Sequence, residues 1–166
     1  MGIATTLQEY LDGYGVVYDV LTHKRTDCSS NTAQASHVST DCLAKGVVLK
    51  REDEYILAVV PASTQVELDE LQRWLKQPVQ LASEDEIDTL FSDCDTGAVP
   101  PIGAAYGIKV IVDESLEDLE EIYFEGGDHR TLVHLSGEQF HHLMEKVPHH
   151  HFSAELPRSY RSIVAS

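Results

Sequence analysis

Two features of this chain have the residue types and the setting to do chemistry. The first is the loop Gly97-Ala98-Val99-Pro100-Pro101-Ile102-Gly103, near the middle of the chain. Its glycines permit backbone angles and close approaches that a Cβ would block. Its adjacent prolines hold φ and supply no N–H. The product is a stiff loop with preset carbonyls, suited to walling in a small polar ligand; the plainer reading is a connector between two strands. The second feature is Lys45, which opens the apolar stretch Gly46–Leu49. A cation at the start of a central strand is costly unless it finds a partner; a solvated strand-end lysine is the alternative. A compact, movable ammonium suits a phosphate oxygen or an oxyanion that develops during a reaction. No Gly-x-Ser-x-Gly elbow is present, and no cysteine has an evident base, so a side-chain nucleophile is not expected.

Other reactive side chains point elsewhere. Cys28, Cys42 and Cys94 are odd in number and widely spaced, which fits free thiols better than a disulfide framework or a zinc ribbon. His141-His142 and His149-His150-His151 invite a metal reading, but adjacent histidines do not converge on one ion, and surface histidines are the expectation. Pro148 suggests that the run after it is exposed and flexible. Trp74, on a helix face, reads as core. Net charge is −16, awkward for a protein that would hold nucleic acid by its phosphates. The basic residues gather early, with Lys24, Arg25, Lys45, Lys50 and Arg51 between 24 and 51, whereas 113–125 is acidic throughout.

The elements that must position these groups follow from pattern. Thr6-Leu7-Gln8-Glu9 reads as a capping box, with Leu7, Leu11 and Tyr14 on one face of a helix over 6–13 and glycines at its exit. Val16–Leu21 reads as a strand, and Asn31 as the cap of a short helix to His37. Gly46–Leu49 and Tyr55–Val60 form a hairpin. Val66, Leu68, Leu71, Trp74 and Leu75 mark an amphipathic helix; Val79–Leu81 is a short strand; Ser83-Glu84-Asp85-Glu86 is a second capping box. Beyond the loop come the strand Ile108–Val112, a hairpin of Glu121–Phe124 with Thr131–Leu135, and a last helix capped at Ser136. Strands that follow one another as hairpins argue α+β with a mixed, largely antiparallel sheet. One domain over 1–148 is expected, with a His-rich, less regular tail over 149–166. No apolar run approaches the ~20 residues of a membrane span, and the N-terminus lacks signal-peptide character, so a cytoplasmic location is expected.

Taken in order, Ala44–Lys50, Tyr55–Pro61, Leu81–Ile87, Gly97–Gly103 and Phe124-Glu125-Gly126-Gly127-Asp128-His129 resemble the YbaK/prolyl-tRNA-synthetase-associated family of aminoacyl-tRNA deacylases, over residues 20–145. The resemblance implies a curved, partly barrel-like sheet surrounded by helices. It implies that Lys45 contacts the phosphate of the 3′-terminal adenosine and holds the aminoacyl ester. It also implies that backbone groups at Gly97 position the attacking water. Pro101 and Gly103 match the family loop, while Pro100 stands where a small hydroxyl residue is common. His129 matches a position near the pocket, for binding or as a turn residue capping its own loop.

The resulting expectation is a trans-editing hydrolase that cleaves mischarged aminoacyl-tRNA carrying a small amino acid such as Ala, Cys or Ser. Val47, Ile56, Val99 and Ile102 would wall the pocket, and Lys24, Arg25, Lys50 and Arg51 would face tRNA. Neither metal nor cofactor is expected. The partners are the tRNA acceptor end and, in some settings, a synthetase, with the protein a monomer or weak dimer. The alternative is a non-catalytic module binding a nucleotide, an amino acid or a protein partner, motivated by the charge of −16 and by Pro100.

Overall fold

A computed structural model describes residues 2–24 and 38–156. The expected short helix over 31–37 lies outside them, as do Arg25 and Cys28. In chain order the elements are α1 (Thr5–Tyr14), β1 (Asp19–Thr22), β2 (Leu43–Arg51), β3 (Glu54–Pro61), β4 (Thr64–Val66), α2 (Leu68–Leu75), β5 (Gln80–Leu81), α3 (Glu84–Leu90), β6 (Lys109–Asp113), β7 (Glu121–Glu125), β8 (Thr131–Ser136), α4 (Gly137–Leu143), β9 (His149–His150) and β10 (Ser153–Glu155). Short 3₁₀ turns at Gly103–Tyr106 and Glu114–Leu116 flank β6.

The main sheet runs β1-β8-β7-β2-β3-β6-β9, with β5 paired to β2 off that path; β4 and β10 form a separate ribbon. The pairs β1–β8, β7–β8, β2–β3, β2–β5 and β4–β10 are antiparallel, while β2–β7, β3–β6 and β6–β9 are parallel. The fold is therefore α+β with a mixed, mostly antiparallel sheet. The sheet is apolar on both faces. On one, Ala44, Val48, Leu57, Val59, Ile122, Phe124 and Val133 meet Leu7 and Leu11 of α1 and Phe140 of α4. On the other, Leu49, Ile56, Ala58 and Val60 meet Leu71 of α2 and Phe152. No helix among the described residues is long and apolar enough to cross a membrane.

Two expectations change here. Helix α1 starts at Thr5, its N-cap Ala4 makes no side-chain cap, and the Thr6–Glu9 pattern caps nothing. The backbone N–H of Thr6 is instead taken by Asp93 Oδ2 at 2.9 Å, 87 residues away. A carboxylate there also suits the positive end of the helix dipole. The histidine run after Pro148 is not loose over 149–155. β9 pairs with the end of β6, β10 pairs with β4, and Phe152 is 1% exposed. His149 and His150 are half-buried against Glu117 and Glu70, at 2.6 and 2.9 Å, and the His150 ring stacks on Trp74.

The anchor for this segment is Asp113, which is fully buried. It accepts backbone N–H groups from Phe152 (2.7 Å), Ser153 (3.0 Å) and Ser115 (3.1 Å), and the hydroxyls of Ser153 (2.8 Å) and Ser115. Burial by itself would raise the carboxyl pKa, but this set of donors outweighs it and holds the group below the ordinary aspartate range.

Candidate active site

A break in strand pairing makes the cavity. One edge of β2 is paired along its length by β3. The other edge is paired by β7 only at Leu43 and Ala44, and by β5 only at Leu49 and Lys50. Between them, Val48 O accepts the Ala82 N–H at 3.0 Å, and the rest of the edge opens. A cavity of about 210 Å³ lies in that opening. Lys45, Gly46 and Val48 line it from β2, Glu125 from the end of β7, Glu84 and Ile87 from α3, and Thr96, Gly97 and Val99 from the central loop.

Helix α3 is held in place by the predicted capping box: Ser83 Oγ accepts the Glu86 N–H at 3.2 Å and Glu86 Oε1 accepts the Ser83 N–H at 3.0 Å. Glu86 also accepts the Tyr55 hydroxyl and lies 3.1 Å from Lys50 Nζ. The Tyr55 bond, with the Ser83 and Lys50 bonds behind it, lowers the Glu86 carboxyl to about 2.

The loop is pinned as firmly. The Asp95 N–H donates to Gly127 O at 2.7 Å, Thr96 Oγ1 donates to Asp88 at 2.9 Å, and Ala98 is fully buried. Gly97 sits at φ +84, a left-handed angle that strains any residue with a Cβ. His129 is 4% exposed, and its Nε2–H donates to the carbonyl of Thr96, which can only accept. The turn that presents His129 is itself tied by Asp128, whose carboxylate accepts the N–H groups of Arg130 and Thr131.

Lys45 is half-buried, and burial lowers its ammonium pKa. Among the described residues it has no hydrogen bond or ion pair. The cavity thus contains a partly desolvated cation without a partner among the described residues, beside a loop of exposed and preset backbone, between apolar walls.

Of the residues singled out in the sequence, Lys45, Gly97 and Val99 share this cavity. Val47 packs on the α2 side of the sheet, Ile56 is buried there, and Ile102 is buried in the main core, so none of the three walls the cavity. Pro101 and Gly103 are buried behind the loop; a Cβ on Gly103 would lie 2.6 Å from Val110 Cγ2. His129 stands one residue removed, holding Thr96. Pro100 is buried and is not part of the lining. Among the basic residues, Lys24 is exposed, Lys50 is paired with Glu86, and Arg51 is paired with Glu54 at 3.1 Å. Gly46, Val48, Glu84, Ile87, Thr96 and Glu125 were not anticipated as lining residues.

A sequence model of the aminoacyl-tRNA editing domain matches residues 23–143, which span every element that lines the cavity. The chain belongs to the aminoacyl-tRNA editing domain family. Among solved structures, a hypothetical protein, APE2540, superposes with a TM-score of 0.79 at 21% identity, over 90% of this chain and 99% of that one. A protein described as a candidate trans-editing enzyme for prolyl-tRNA synthetase superposes with a TM-score of 0.78 at 21% identity, over 90% of this chain and 95% of that one. At such identities these neighbours show the fold alone, α+β with a mixed, mostly antiparallel sheet. No curated protein matches the chain.

Proposed function

We propose that this editing domain hydrolyses the ester of mischarged aminoacyl-tRNA bearing a small amino acid such as Ala, Cys or Ser. In the reaction, water attacks the ester carbonyl carbon, the bond from that carbon to the ribose oxygen breaks, and the ribose oxygen takes up a proton. Amino acid and free tRNA leave. Lys45 carries the reading: a partly desolvated ammonium with no partner among the described residues, facing the cavity that Gly97 also lines. Its positive charge would hold the terminal phosphate or the oxyanion that grows on the carbonyl oxygen. Backbone groups at Gly97 would orient the water. An activated ester needs orientation and fixed dipoles more than a side-chain nucleophile.

The cavity size supports an acyl end inside and the polynucleotide outside. About 210 Å³ lies below the roughly 300–1,000 Å³ of pockets that enclose a drug-sized ligand. Val48, Ile87 and Val99 are the apolar walls that would judge side-chain size. One methylene in such a pocket is worth only about 1–3 kcal/mol, so neighbouring small amino acids would overlap as substrates.

One observation favours the second reading, a non-catalytic module. Lys50 and Arg51 are each neutralised by a glutamate, in a chain of net charge −16, which leaves few cations for tRNA phosphates. The test is deacylation of tRNAs charged with alanine, cysteine, serine and proline, by wild type and by Lys45→Ala. Rapid loss of one ester with wild type only is the expected result. Loss of no ester above the spontaneous rate overturns the proposal in favour of the binding module.

A further inference from the structure

The sheet has a second open edge, at β6. One side of β6 is paired by β3 from Lys109 to Val112, while β9 pairs the other side only at Val112 and Asp113. On that second side the Val112 N–H donates to Pro148 O at 3.1 Å, and the Ile108 N–H donates to Gly103 O at 2.9 Å. Alternation along a strand turns the N–H and C=O of Val110 the same way. No strand among the described residues pairs with them there. Val110 is nonetheless only 8% exposed, and backbone groups so sheltered call for a partner.

A cavity of about 390 Å³ opens over this edge, within the roughly 300–1,000 Å³ of sites that enclose a ligand. Ile56, Leu75, Val110 and Val147 give it apolar walls, and Arg51, Lys109 and Lys146 give it a basic rim. No acidic residue among those described lines it. Glu54 serves Arg51 and Lys109 together, at 3.1 and 3.5 Å, and Lys146 has no ion pair among the described residues. The rim therefore keeps a surplus of positive charge in a chain of net charge −16. This cavity shares no lining residue with the one that holds Lys45, and β2, β3 and β6 separate the two open edges.

We propose that this edge binds an extended, acidic peptide segment of a partner protein. The segment would continue the sheet beside β9, its backbone paired to Val110. Its apolar side chains would enter between the walls, and its carboxylates would meet Lys109 and Lys146 in charge-assisted bonds. A second copy of this chain fits worse, because a two-fold contact through the same edge sets the three cations of one copy against those of the other. The inference is independent of the deacylase reading.

The probe is a blocked heptapeptide of alternating Glu and Val, titrated into the full chain and followed by calorimetry and amide NMR. Binding is expected, with the Val110 amide signal shifted and its hydrogen exchange slowed. The double variant Lys109→Glu/Lys146→Glu, at two exposed positions, should weaken binding about tenfold or more and leave deacylation unchanged. N-methylation of the peptide's Val amides and of its Glu amides should have unequal effects, because only one set faces β6. This last readout needs no variant. No binding, binding undiminished in the double variant, or equal effects of the two methylations overturns the proposal. Octanoate bound in place of the peptide assigns the cavity to small amphipathic anions and overturns it as well. So does a double variant that slows deacylation while wild type ignores the peptide, which assigns the rim to tRNA.

Discussion

Replacing Asp113 should release the 149–155 segment from the sheet. Five donors converge on this fully buried carboxylate; of the three on buried residues, the Ser153 hydroxyl can rotate, and two, the N–H groups of Phe152 and Ser153, are fixed. In Asp113→Ala those two lose their acceptor in a place water does not reach. A stranded buried donor costs about 1–3 kcal/mol, so the pair implies a loss of about 4 kcal/mol. Asp113→Asn keeps one oxygen for Phe152 and Ser153 but turns an NH₂ toward the Ser115 N–H. Ser115 is exposed and the freed N–H can find water, so the cost falls to about 1–2 kcal/mol. In a domain of this size 1 kcal/mol moves Tm by about 2–4 °C, which puts Asp113→Ala about 8–16 °C below wild type.

Urea unfolding and thermal melts read the totals, and hydrogen exchange at 149–155 reads the local release. The pH dependence carries a sign. Because the folded carboxyl sits below its ordinary range, the unfolded chain takes up the proton more readily. The stabilisation is complete above the unfolded value of about 3.9 and is lost as pH falls through the lower folded value. The gap between wild type and Asp113→Ala should therefore close only in acid. An Asp113→Ala variant within 1 kcal/mol of wild type, or an Asn variant as damaging as Ala, would refute the reasoning (thresholds on the order set by the donor costs above).

Three further outcomes are expected. Gly137→Ala would place a Cβ 1.8 Å from the carbonyl oxygen of Leu119, a backbone atom; little soluble folded protein should be recovered, as judged by yield and circular dichroism. Lys76, the exposed C-cap of α2, holds φ +58, and Lys76→Gly should raise stability by about 0.5–1 kcal/mol in urea unfolding. His129→Ala removes the donor that holds the Thr96 carbonyl beside Gly97; kcat for deacylation should drop more than KM changes, and His129→Gln should recover part of it.

Much of the scaffold was legible because its signals are local. The Ser83–Glu86 box, the β2–β3 hairpin and the apolar faces of α1 and α2 are each written within a few residues. Lys45 and Gly97 could be singled out because a strand-end cation and a Gly/Pro loop are unusual in themselves. The cavity lining was harder to read. Glu125 and Glu84 share a cavity with Lys45 only through the split pairing of β2 with β7 and β5, and no stretch of sequence announces that register. Alternation puts Lys45, Val47 and Leu49 on one side of β2, but which side meets α2 depends on elements far along the chain. The N-cap of α1 misled for the same reason: a nearby Thr-x-x-Glu looked sufficient, while the acceptor came from Asp93. The residues after Pro148 looked irregular because they are polar, yet strand formation there depends on the open edge of β6 and on Asp113, not on hydrophobic alternation.

The debt of α1 to Asp93 also sets an order of events during synthesis. The helix has ten residues, fewer than the roughly 12–15 that an isolated helix needs in water. Its cap lies 87 residues downstream, and Ala4 N–H bonds to Gly126 O, later still. At about 5–20 residues per second, a ribosome needs about 4–17 s merely to reach the cap. Helix α1 is thus completed long after it is made, and Leu7 and Leu11 stay open to solvent and to chaperones until the central loop and the β7–β8 turn have emerged.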